Sequence, residues 1–334
     1  MEVEPFSLPL SAPLETASGT IGTRRGFLVR VEIDGTPGVG EATPLPGWTE
    51  PYAACESALR DVDDPVSAID GGRLEGTPAA RHGVSLAVLD ARARRAGRPL
   101  YRYLGGDRAV DAVSVNATVG DGPPDETAAA VERAVEAGYP AVKLKIGARA
   151  PEADLDRLRA VRAVAPDVEL RLDANGEWTG STAERLLADL ADLGVAVLEQ
   201  PLPASSLEAH AGLRGRGVDI ALDESVVECG FGAVLDADAA DLLVCKPMAL
   251  GGIDVARGVV RSAGNAGVDA IVTTTIDGAI ARAAAVHLVA SLPDVRPCGL
   301  ATGTLLGSDL REGIATVEGG RAAVPQGKGN IPPG

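Results

Sequence analysis

The stretch Val142-Lys143-Leu144-Lys145-Ile146-Gly147 combines an apolar, strand-like run with two lysines spaced by two residues. Most of the basic residues of the chain are arginines, and only four are lysines: Lys143, Lys145, Lys246 and Lys328. Lysine can give up its proton in a suitable environment, whereas arginine stays protonated. The spacing alone is equally consistent with two surface lysines on an edge strand. Lysines within strands therefore suggest proton transfer, provided that the neighbouring strands carry charged residues that could complete a catalytic site.

Short β-rich runs alternate with Ala/Leu/Arg-rich helical stretches from residue 110 onward, at a spacing of roughly 25 residues that is typical of βα units. The strand candidates are residues 112–116, 141–146, 169–173, 195–199, 219–223, 242–246, 269–273 and, more weakly, 298–302. Eight such units predict an α/β fold, a (β/α) TIM-type barrel. A doubly wound open sheet is the second choice, and no GxGxxG motif follows a strand to support it.

The residues before the barrel predict a separate α+β unit. Strand candidates at 26–33 and 38–42 flank an Asp34-Gly35 turn, and helices are predicted over 51–61 and 78–96. The predicted organisation is an N-terminal α+β capping domain (residues 1–105), a (β/α) barrel catalytic domain (106–310) and a C-terminal segment (311–334) that returns to the capping domain.

Polar residues end five successive strand candidates, in the order Lys145, Asp173, Glu199, Asp223 and Lys246. In a βα barrel the C-terminal strand ends meet at one mouth, so these side chains are expected to form a ring. Three neighbouring carboxylates repel one another unless a cation neutralises them. Oxygen ligands with open positions suit Mg²⁺, with Mn²⁺ as the alternative. A single Asp at a strand end more often caps the next helix, but three in succession between lysines predict a metal site.

The two groups of lysines lie on opposite sides of this predicted ring. Lys143 and Lys145 point the same way along their strand, and we expect Lys143 and the metal to make Lys145 a usable base. A small-molecule carboxylate held between Lys145 and Lys246 would present its α-proton to one of them, and the metal would stabilise the resulting enediolate. The predicted reaction class is proton abstraction α to a carboxylate. None of the three histidines ends a strand candidate, so a histidine base is not expected.

The net charge of −16 argues against nucleic acid and anionic membranes as partners. The chain shows no membrane-spanning run and no secretory signal, and its four cysteines form no CxxC pair, so a cytoplasmic location is expected. The acidic, lysine-poor composition resembles that of proteins from salt-loving microbes, such as halophilic archaea. Composition leaves open whether the chain forms a homo-oligomer.

Five segments carry a resemblance to the enolase superfamily: Lys143-Leu144-Lys145, Leu172-Asp173-Ala174-Asn175, Leu198-Glu199-Gln200-Pro201-Leu202, Leu222-Asp223-Glu224-Ser225 and Lys246-Pro247. They are similar to the muconate-lactonizing-type subgroup, and the resemblance runs through almost the whole chain. It implies a modified enolase-type barrel with a capping domain, Mg²⁺ on the three carboxylates, and Lys145, the second lysine of Lys-x-Lys, as the base.

Two further segments, 40–48 and 298–309, are similar to the o-succinylbenzoate synthases of that subgroup. This resemblance implies a carbon–oxygen lyase of menaquinone biosynthesis that dehydrates 2-succinyl-6-hydroxy-2,4-cyclohexadiene-1-carboxylate to 2-succinylbenzoate. Lys145 would remove the proton, Lys246 would stabilise the anion and Lys143 would tune Lys145. The Asp-x-Asp that dipeptide epimerases of the subgroup usually carry at the eighth strand is absent.

Substrate-binding and supporting roles are also implied by the resemblance. Asn175 and Glu224 would orient ligands, and Arg171 would hold the substrate. Hydroxyls of Thr274 and Thr275, with the following helix N-terminus, would bind the succinyl carboxylate, although a plain helix cap is an equal alternative. Gly299 belongs to the eighth-strand region, and Thr20 and Arg24 lie in a Gly-rich loop expected to close over the substrate.

Two alternatives to the lyase remain open. An N-succinylamino acid racemase, or a related amino-acid racemase or epimerase, would need Lys145 and Lys246 as acid and base on opposite faces of the substrate. The chain has both lysines, so it does not separate this activity from dehydration. A catalytically inactive barrel that binds a metal or a ligand is the third hypothesis, and the intact ring of charged residues argues against it.

Overall fold

The N-terminal part of the chain is an antiparallel sheet with helices packed on one side of it. The structure is a computed structural model that describes residues 1–16 and 19–332. The sheet has the order β1-β2-β3, with β1 at Glu2–Thr16, β2 at Gly19–Ile33 and β3 at Thr36–Ala42. The helices are α1 (Tyr52–Arg60), α2 (Pro65–Asp70), α3 (Pro78–Arg95) and α4 (Leu100–Tyr103).

Local sequence explains the hairpin between β2 and β3. Asp34 and Gly35 both have positive φ, 49° and 74°, which matches the twist of a tight two-residue hairpin. The capping-domain core lies between this sheet and α3, where Phe27, Val29 and Val84 are fully buried.

Seven parallel strands form one curled sheet in the order β11-β10-β9-β8-β7-β6-β5. They are β5 (Ala117–Val119), β6 (Ala141–Lys145), β7 (Glu169–Asp173), β8 (Val195–Glu199), β9 (Asp219–Leu222), β10 (Leu242–Cys245) and β11 (Asp269–Val272). The helices around them are α5 (Pro124–Glu136), α6 (Pro151–Val164), α7 (Gly180–Asp192), α8 (Leu207–Leu213), α9 (Phe231–Asp236), α10 (Pro247–Leu250), α11 (Ile253–Asn265) and α12 (Ala279–Ala290). The predicted fold class, an enolase-type barrel with a capping domain, is confirmed.

Two predicted strands differ from the observed ones. Residues 298–302 do not form an eighth strand, because Cys298 and Gly299 make single bridges to Val115 and Thr273 before a 3-10 turn at Ala301–Leu305. These bridges join the two edges of the curled sheet. The predicted strand at 112–116 is shorter, and β4 (Ala112–Ser114) pairs with a C-terminal strand instead of the barrel strands.

The C-terminal segment contacts both parts of the molecule. Its strands β12 (Val317–Glu318) and β13 (Arg321–Ala323) form a three-stranded sheet with β4. Further on, the Asn330 backbone N–H donates to Asp90 of α3 at 2.6 Å. Among the described residues, no helix has the length and apolar character needed to cross a membrane.

Candidate active site

Strand pairing brings the predicted ring residues to one edge of the curled sheet. The register of the parallel strands sets Lys145 beside Asp173 and Asp173 beside Glu199. Asp223 and Lys246 follow directly on β9 and β10. Each side chain therefore stands at the C-terminal end of a strand whose apolar residues are mostly buried, so the apolar pattern of the strands positions the charged ends.

Lys143 links two of the three carboxylates. Its Nζ donates to Asp173 Oδ2 at 2.9 Å and to Glu199 Oε1 and Oε2 at 3.0 and 3.1 Å. Burial alone would lower the pKa of Lys143, but the surrounding Asp173, Glu199 and Asp223 raise it above its ordinary value. Lys143 is thus held as an ammonium group and keeps the two carboxylates together.

Lys145 stands beside this pair and is the more exposed lysine, with 38% of its side chain accessible. Its Nζ donates to Asp173 Oδ2 at 2.7 Å and to Asn175 Oδ1 at 2.8 Å. Asn175 in turn donates from Nδ2 to Glu224 Oε1 at 3.1 Å. Asn175 therefore orients the Lys145 ammonium group, and Glu224 orients Asn175.

Lys246 occupies the other side of the ring. Its Nζ donates to Asp223 Oδ2 at 2.5 Å, and only 12% of its side chain is accessible. The same Nζ lies 3.2 Å from the ring centroid of Trp48, which belongs to the capping domain. In the sequence, the segment around Trp48 contributed only to a family resemblance, and no contact between Trp48 and Lys246 was predicted. The signal was that Trp48 is one of only two tryptophans in an aromatic-poor chain.

The buried carboxyl groups of the ring have displaced acidities. Burial raises the pKa of Glu199 to about 7, and the negative charge of Asp173 adds to the shift. Burial also raises the pKa of Asp223, against the pull of Lys246. Asp173 behaves oppositely, because Lys143 and Lys145 outweigh its burial and hold its pKa below the ordinary range. Negative charge is therefore costly at Glu199 and Asp223 unless more positive charge arrives.

Gln200 is a supporting residue to which sequence reasoning gave no role. Its side chain is fully buried, and its Oε1 accepts from the backbone N–H groups of Asp223 and Ser225 at 3.0 and 3.2 Å. Its backbone has φ +38°, a conformation that costs energy for a residue other than glycine. This strained residue joins the end of β8 to the start of the segment after β9, so it fixes Glu199 relative to Asp223.

The donor set fits a hard divalent cation. Three buried carboxylates meet at one edge, and Asp223 Oδ1 is buried with no hydrogen-bond partner. Among the described residues, no three acidic, histidine or cysteine side chains already stand at the spacing of a metal cage. Lysine ammonium groups compensate Asp173, Glu199 and Asp223 instead. Mg²⁺ prefers carboxylate oxygens as ligands, so these three residues offer it a suitable donor set.

Arg171 and Arg24 were expected near the substrate, but both are committed to protein contacts. Arg171 is 2% exposed and donates to the Glu169 side chain and to the Pro297 carbonyl, which directs it toward the start of its own strand. Arg24 is buried and donates to carbonyls of residues 43, 44 and 276. Thr20 and Arg24 lie in β2 and not in a loop. These contacts argue against a direct substrate role for either arginine.

The polar groups of the segment after β11, expected to bind substrate, already make hydrogen bonds within the protein. Thr274 Oγ1 lies 2.7 Å from Thr302 Oγ1, and Thr275 donates to Asp277 at 2.5 Å. The N-terminus of α12, expected to receive a substrate carboxylate, already receives Glu41, which accepts from the N–H groups of residues 278 and 281. Gly299 has no room for a side chain, because a Cβ would lie 2.5 Å from Thr273 Oγ1. The protein itself supplies the anion that sequence reasoning assigned to the substrate.

Two family models match the chain, one in each part. Residues 2–105 match the mandelate racemase / muconate lactonizing enzyme N-terminal domain, and residues 126–330 match the enolase C-terminal domain-like family. The L-Ala-D/L-Glu epimerase of Bacillus subtilis is 31% identical, over 97% of this chain and 93% of the relative. The N-succinylamino acid racemase of Thermus thermophilus is 30% identical, over 98% of this chain and 92% of the relative.

Solved structures agree with these matches. A substrate-liganded complex of the Bacillus subtilis epimerase superposes with a TM-score of 0.88 at 30% identity, covering 99% of this chain and 97% of that one. A dipeptide epimerase from Methylococcus capsulatus, complexed with Mg and the dipeptide L-Arg-D-Lys, gives a TM-score of 0.87 at 29% identity, covering 99% and 98%. Both likenesses span the capping domain as well as the barrel.

The expected carbon–oxygen lyase activity is wrong. The Bacillus subtilis, Clostridium acetobutylicum and Enterococcus faecalis relatives are epimerases and the Thermus thermophilus relative is a racemase, and these activities are isomerizations and not eliminations. The two segments that suggested a synthase have other uses in this structure. Residues 40–48 hold Glu41 and Trp48 against the barrel, and residues 298–299 bridge its edge strands.

Proposed function

The chain belongs to the mandelate racemase / muconate lactonizing enzyme family of the enolase superfamily, and on that premise we propose that it is a metal-dependent racemase or epimerase. The reaction is inversion of the carbon next to the carboxylate of an N-substituted amino acid. One observation carries the proposal: two lysine Nζ groups flank the carboxylate ring, with Lys145 on Asp173 and Lys246 on Asp223. Inversion needs one proton-transferring group on each face of the carbon.

The chemistry assigns each ring residue a task. Asp173, Glu199 and Asp223 would hold Mg²⁺, which supplies positive charge to the substrate carboxylate and so favours loss of the α-proton. One lysine amine takes the proton as the C–H bond breaks on its face. The ammonium group of the opposite lysine delivers a proton as the new C–H bond forms. Lys143 stays protonated between Asp173 and Glu199 and exchanges no proton with the substrate.

The surroundings favour an amino acid whose nitrogen is acylated. We place the nitrogen substituent of such a substrate on the side of β11 and of residues 298–308, with its carboxylate facing the ring of Asp173, Glu199 and Asp223. Residues 298–308, all of which the structure describes, include no acidic side chain. Nearby Asp309 is bonded to Arg282 at 2.6 Å and to the Ala279 N–H. The carboxyls of Glu41 and Asp277 near β11 are buried and already accept hydrogen bonds from the protein, so a free substrate ammonium would gain no unpaired carboxylate there, whereas an amide needs none.

Dipeptides are the second candidate, because the Bacillus subtilis relative is an L-Ala-D/L-Glu epimerase. Both substrate classes share the reacting carbon and the flanking carboxylate. A panel of N-succinyl amino acids and L-Ala-containing dipeptides in D₂O separates them, with α-proton loss followed by NMR and inversion by chiral chromatography. The N-succinyl compounds are expected to react faster. Turnover of the dipeptides alone would overturn the choice of substrate class and keep the reaction type.

Substitution of the two lysines tests the mechanism. Lys145→Ala and Lys246→Ala are each expected to slow racemization by roughly 10²–10⁴-fold, the range for loss of a general acid or base. Lys328→Ala, which removes an exposed lysine outside the ring, is the matched control and should leave the rate unchanged. Activity should also disappear with a chelator and return with Mg²⁺. Racemization that survives in both ring variants, or no exchange with any member of the panel, would refute the proposal.

A further inference from the structure

Two lysines of the ring are held by different parts of the molecule. Lys145 is bonded to Asp173 and Asn175, which lie in the barrel. Lys246 is bonded to Asp223 of the barrel, but its ammonium group also lies 3.2 Å from the ring centroid of Trp48 in the capping domain. A cation over a tryptophan ring is attracted by the negative face of that ring, most strongly where water is excluded. Lys246 is the less exposed of the two lysines, so this attraction is weakly screened.

The Trp48 ring stands on a rigid turn. The Trp48 and Thr49 backbone N–H groups both donate to the Leu45 carbonyl at 2.9 Å, and Thr49 Oγ1 accepts from the Leu45 N–H at 2.8 Å. The next residue, Glu50, accepts from the N–H groups of residues 79 and 80 at the start of α3. The backbone that carries the Trp48 ring is therefore fixed to the capping-domain core by contacts within that domain.

The backbone that follows Lys246 is fixed by the same domain. Lys246 precedes α10, and Met248 in that helix is fully buried among capping-domain residues. The Thr43 N–H lies 3.5 Å from Met248 Sδ. Lysine has a long, flexible stem, so fixing its backbone alone would leave the ammonium group free to move. Trp48 restrains the other end of the side chain.

We propose that Trp48 is a positioning residue for Lys246. The capping domain then helps to position the lysine on one face of the substrate, whereas Lys145 on the other face is positioned by barrel residues alone. The inference rests on the proposed two-lysine reaction. It predicts an asymmetry that a general structural role would not produce. Loss of the Trp48 ring should slow proton transfer for the enantiomer whose α-proton faces Lys246 and spare the enantiomer that faces Lys145.

The test measures α-proton exchange in D₂O for each enantiomer of an N-succinyl amino acid separately, with the Mg²⁺-loaded full-length protein. Lys246→Ala first identifies the enantiomer that depends on Lys246. In Trp48→Leu, exchange of that enantiomer is expected to fall roughly tenfold relative to the other, in line with a partly desolvated cation–π contact. Trp48→Phe keeps an aromatic face and should retain most of the wild-type ratio. Trp48→Met gives the same comparison if the leucine variant folds poorly.

A matched control uses another aromatic–cation contact of the capping domain. The Arg25 guanidinium lies 4.1 Å from the ring centroid of Tyr52, a contact in which neither Lys145 nor Lys246 takes part. Tyr52→Leu should change the melting temperature without changing the ratio of the two exchange rates. Equal loss for both enantiomers in Trp48→Leu, no loss, or loss only for the Lys145 face would each overturn the positioning role. Absence of exchange in the wild type would instead overturn the proposed function.

Discussion

Glu41 is the buried carboxyl that joins the capping domain to the barrel. It is fully buried and accepts from the Gly278 and Ala281 N–H groups at 2.7 and 2.9 Å, and from Thr43 Oγ1 at 2.5 Å. Burial raises the pKa of Glu41 from 4.5 to about 7, and the nearby Asp277 adds to the shift. The folded state therefore holds the Glu41 proton more tightly than the unfolded chain does.

This shift makes stability depend on pH in a defined direction. Between pH 4.5 and about 7, rising pH ionises Glu41 in the unfolded chain before the folded one, so the free energy of unfolding falls by about 3 kcal/mol. Glu41→Gln cannot ionise and should lack that part of the slope. Urea denaturation across this pH range checks it, with Glu32→Gln on the exposed face of β2 as the control for charge removal. An unchanged slope in Glu41→Gln would contradict the assignment.

Residue identities at the ring were predictable, but their contacts were not. The βα rhythm placed Lys145, Asp173 and Glu199 at successive strand ends, because burial of the strand interior is a local pattern. The bonds from Lys143 to two carboxylates depend on strand register and side-chain length, which only the folded sheet defines. The barrel contacts of Arg24 could not be foreseen either, since they require the docked capping domain.

At the scale of elements, β3 and α3 approach so closely that only glycine fits between them. A Cβ on Gly40 would lie 2.0 Å from the Gly83 carbonyl oxygen, and one on Gly38 would lie 2.1 Å from the Ala87 carbonyl. Backbone atoms cannot move aside as a flexible side chain can. The glycines of β3 therefore set the distance between the capping-domain sheet and its main helix.

Gly40→Ala tests this close approach. The added methyl group must push α3 away from the sheet, and the expected loss is about 3 kcal/mol, at the upper end of overpacking costs. Gly22→Ala in β2 is the matched control, because a Cβ there meets nothing within 4 Å and its φ is not positive. Urea denaturation of both variants gives the comparison. Equal stability of the two would show that α3 adjusts freely.

Two elements show where sequence patterns stop being informative. Strand β1 was not predicted, since Pro5, Pro9 and Pro13 interrupt it and proline is tolerated only at a sheet edge, which β1 is. The eighth barrel strand was predicted, yet residues 298–299 make only single bridges. In both cases the outcome depends on what lies alongside the segment, and neighbours distant in sequence decide that.

For the whole molecule, charge is distributed differently in the ring and on the surface. The three carboxylates of the ring form ion pairs with Lys143, Lys145 and Lys246, so their negative charge is compensated locally. The formal charges of these six residues cancel, so the rest of the chain carries the whole net charge of −16, which results from 47 acidic and 31 basic residues in all. Like charges on the surface repel one another and weaken the compact state, whereas the buried ring is little affected by dissolved salt.

Salt is therefore expected to stabilise the fold. Raising KCl from about 0.1 M, where the screening length is about 10 Å, to about 1 M, where it is about 3 Å, should raise the melting temperature by more than about 5 °C. Sucrose at equal osmolality controls for solvent exclusion. A variant with amides at four exposed carboxylates should melt higher at low salt and respond less to KCl; the substitutions are Glu126→Gln, Glu132→Gln, Glu184→Gln and Asp189→Asn. If that variant kept the full wild-type response to KCl, surface repulsion would not be its cause, and the acidic composition would need a different physical explanation.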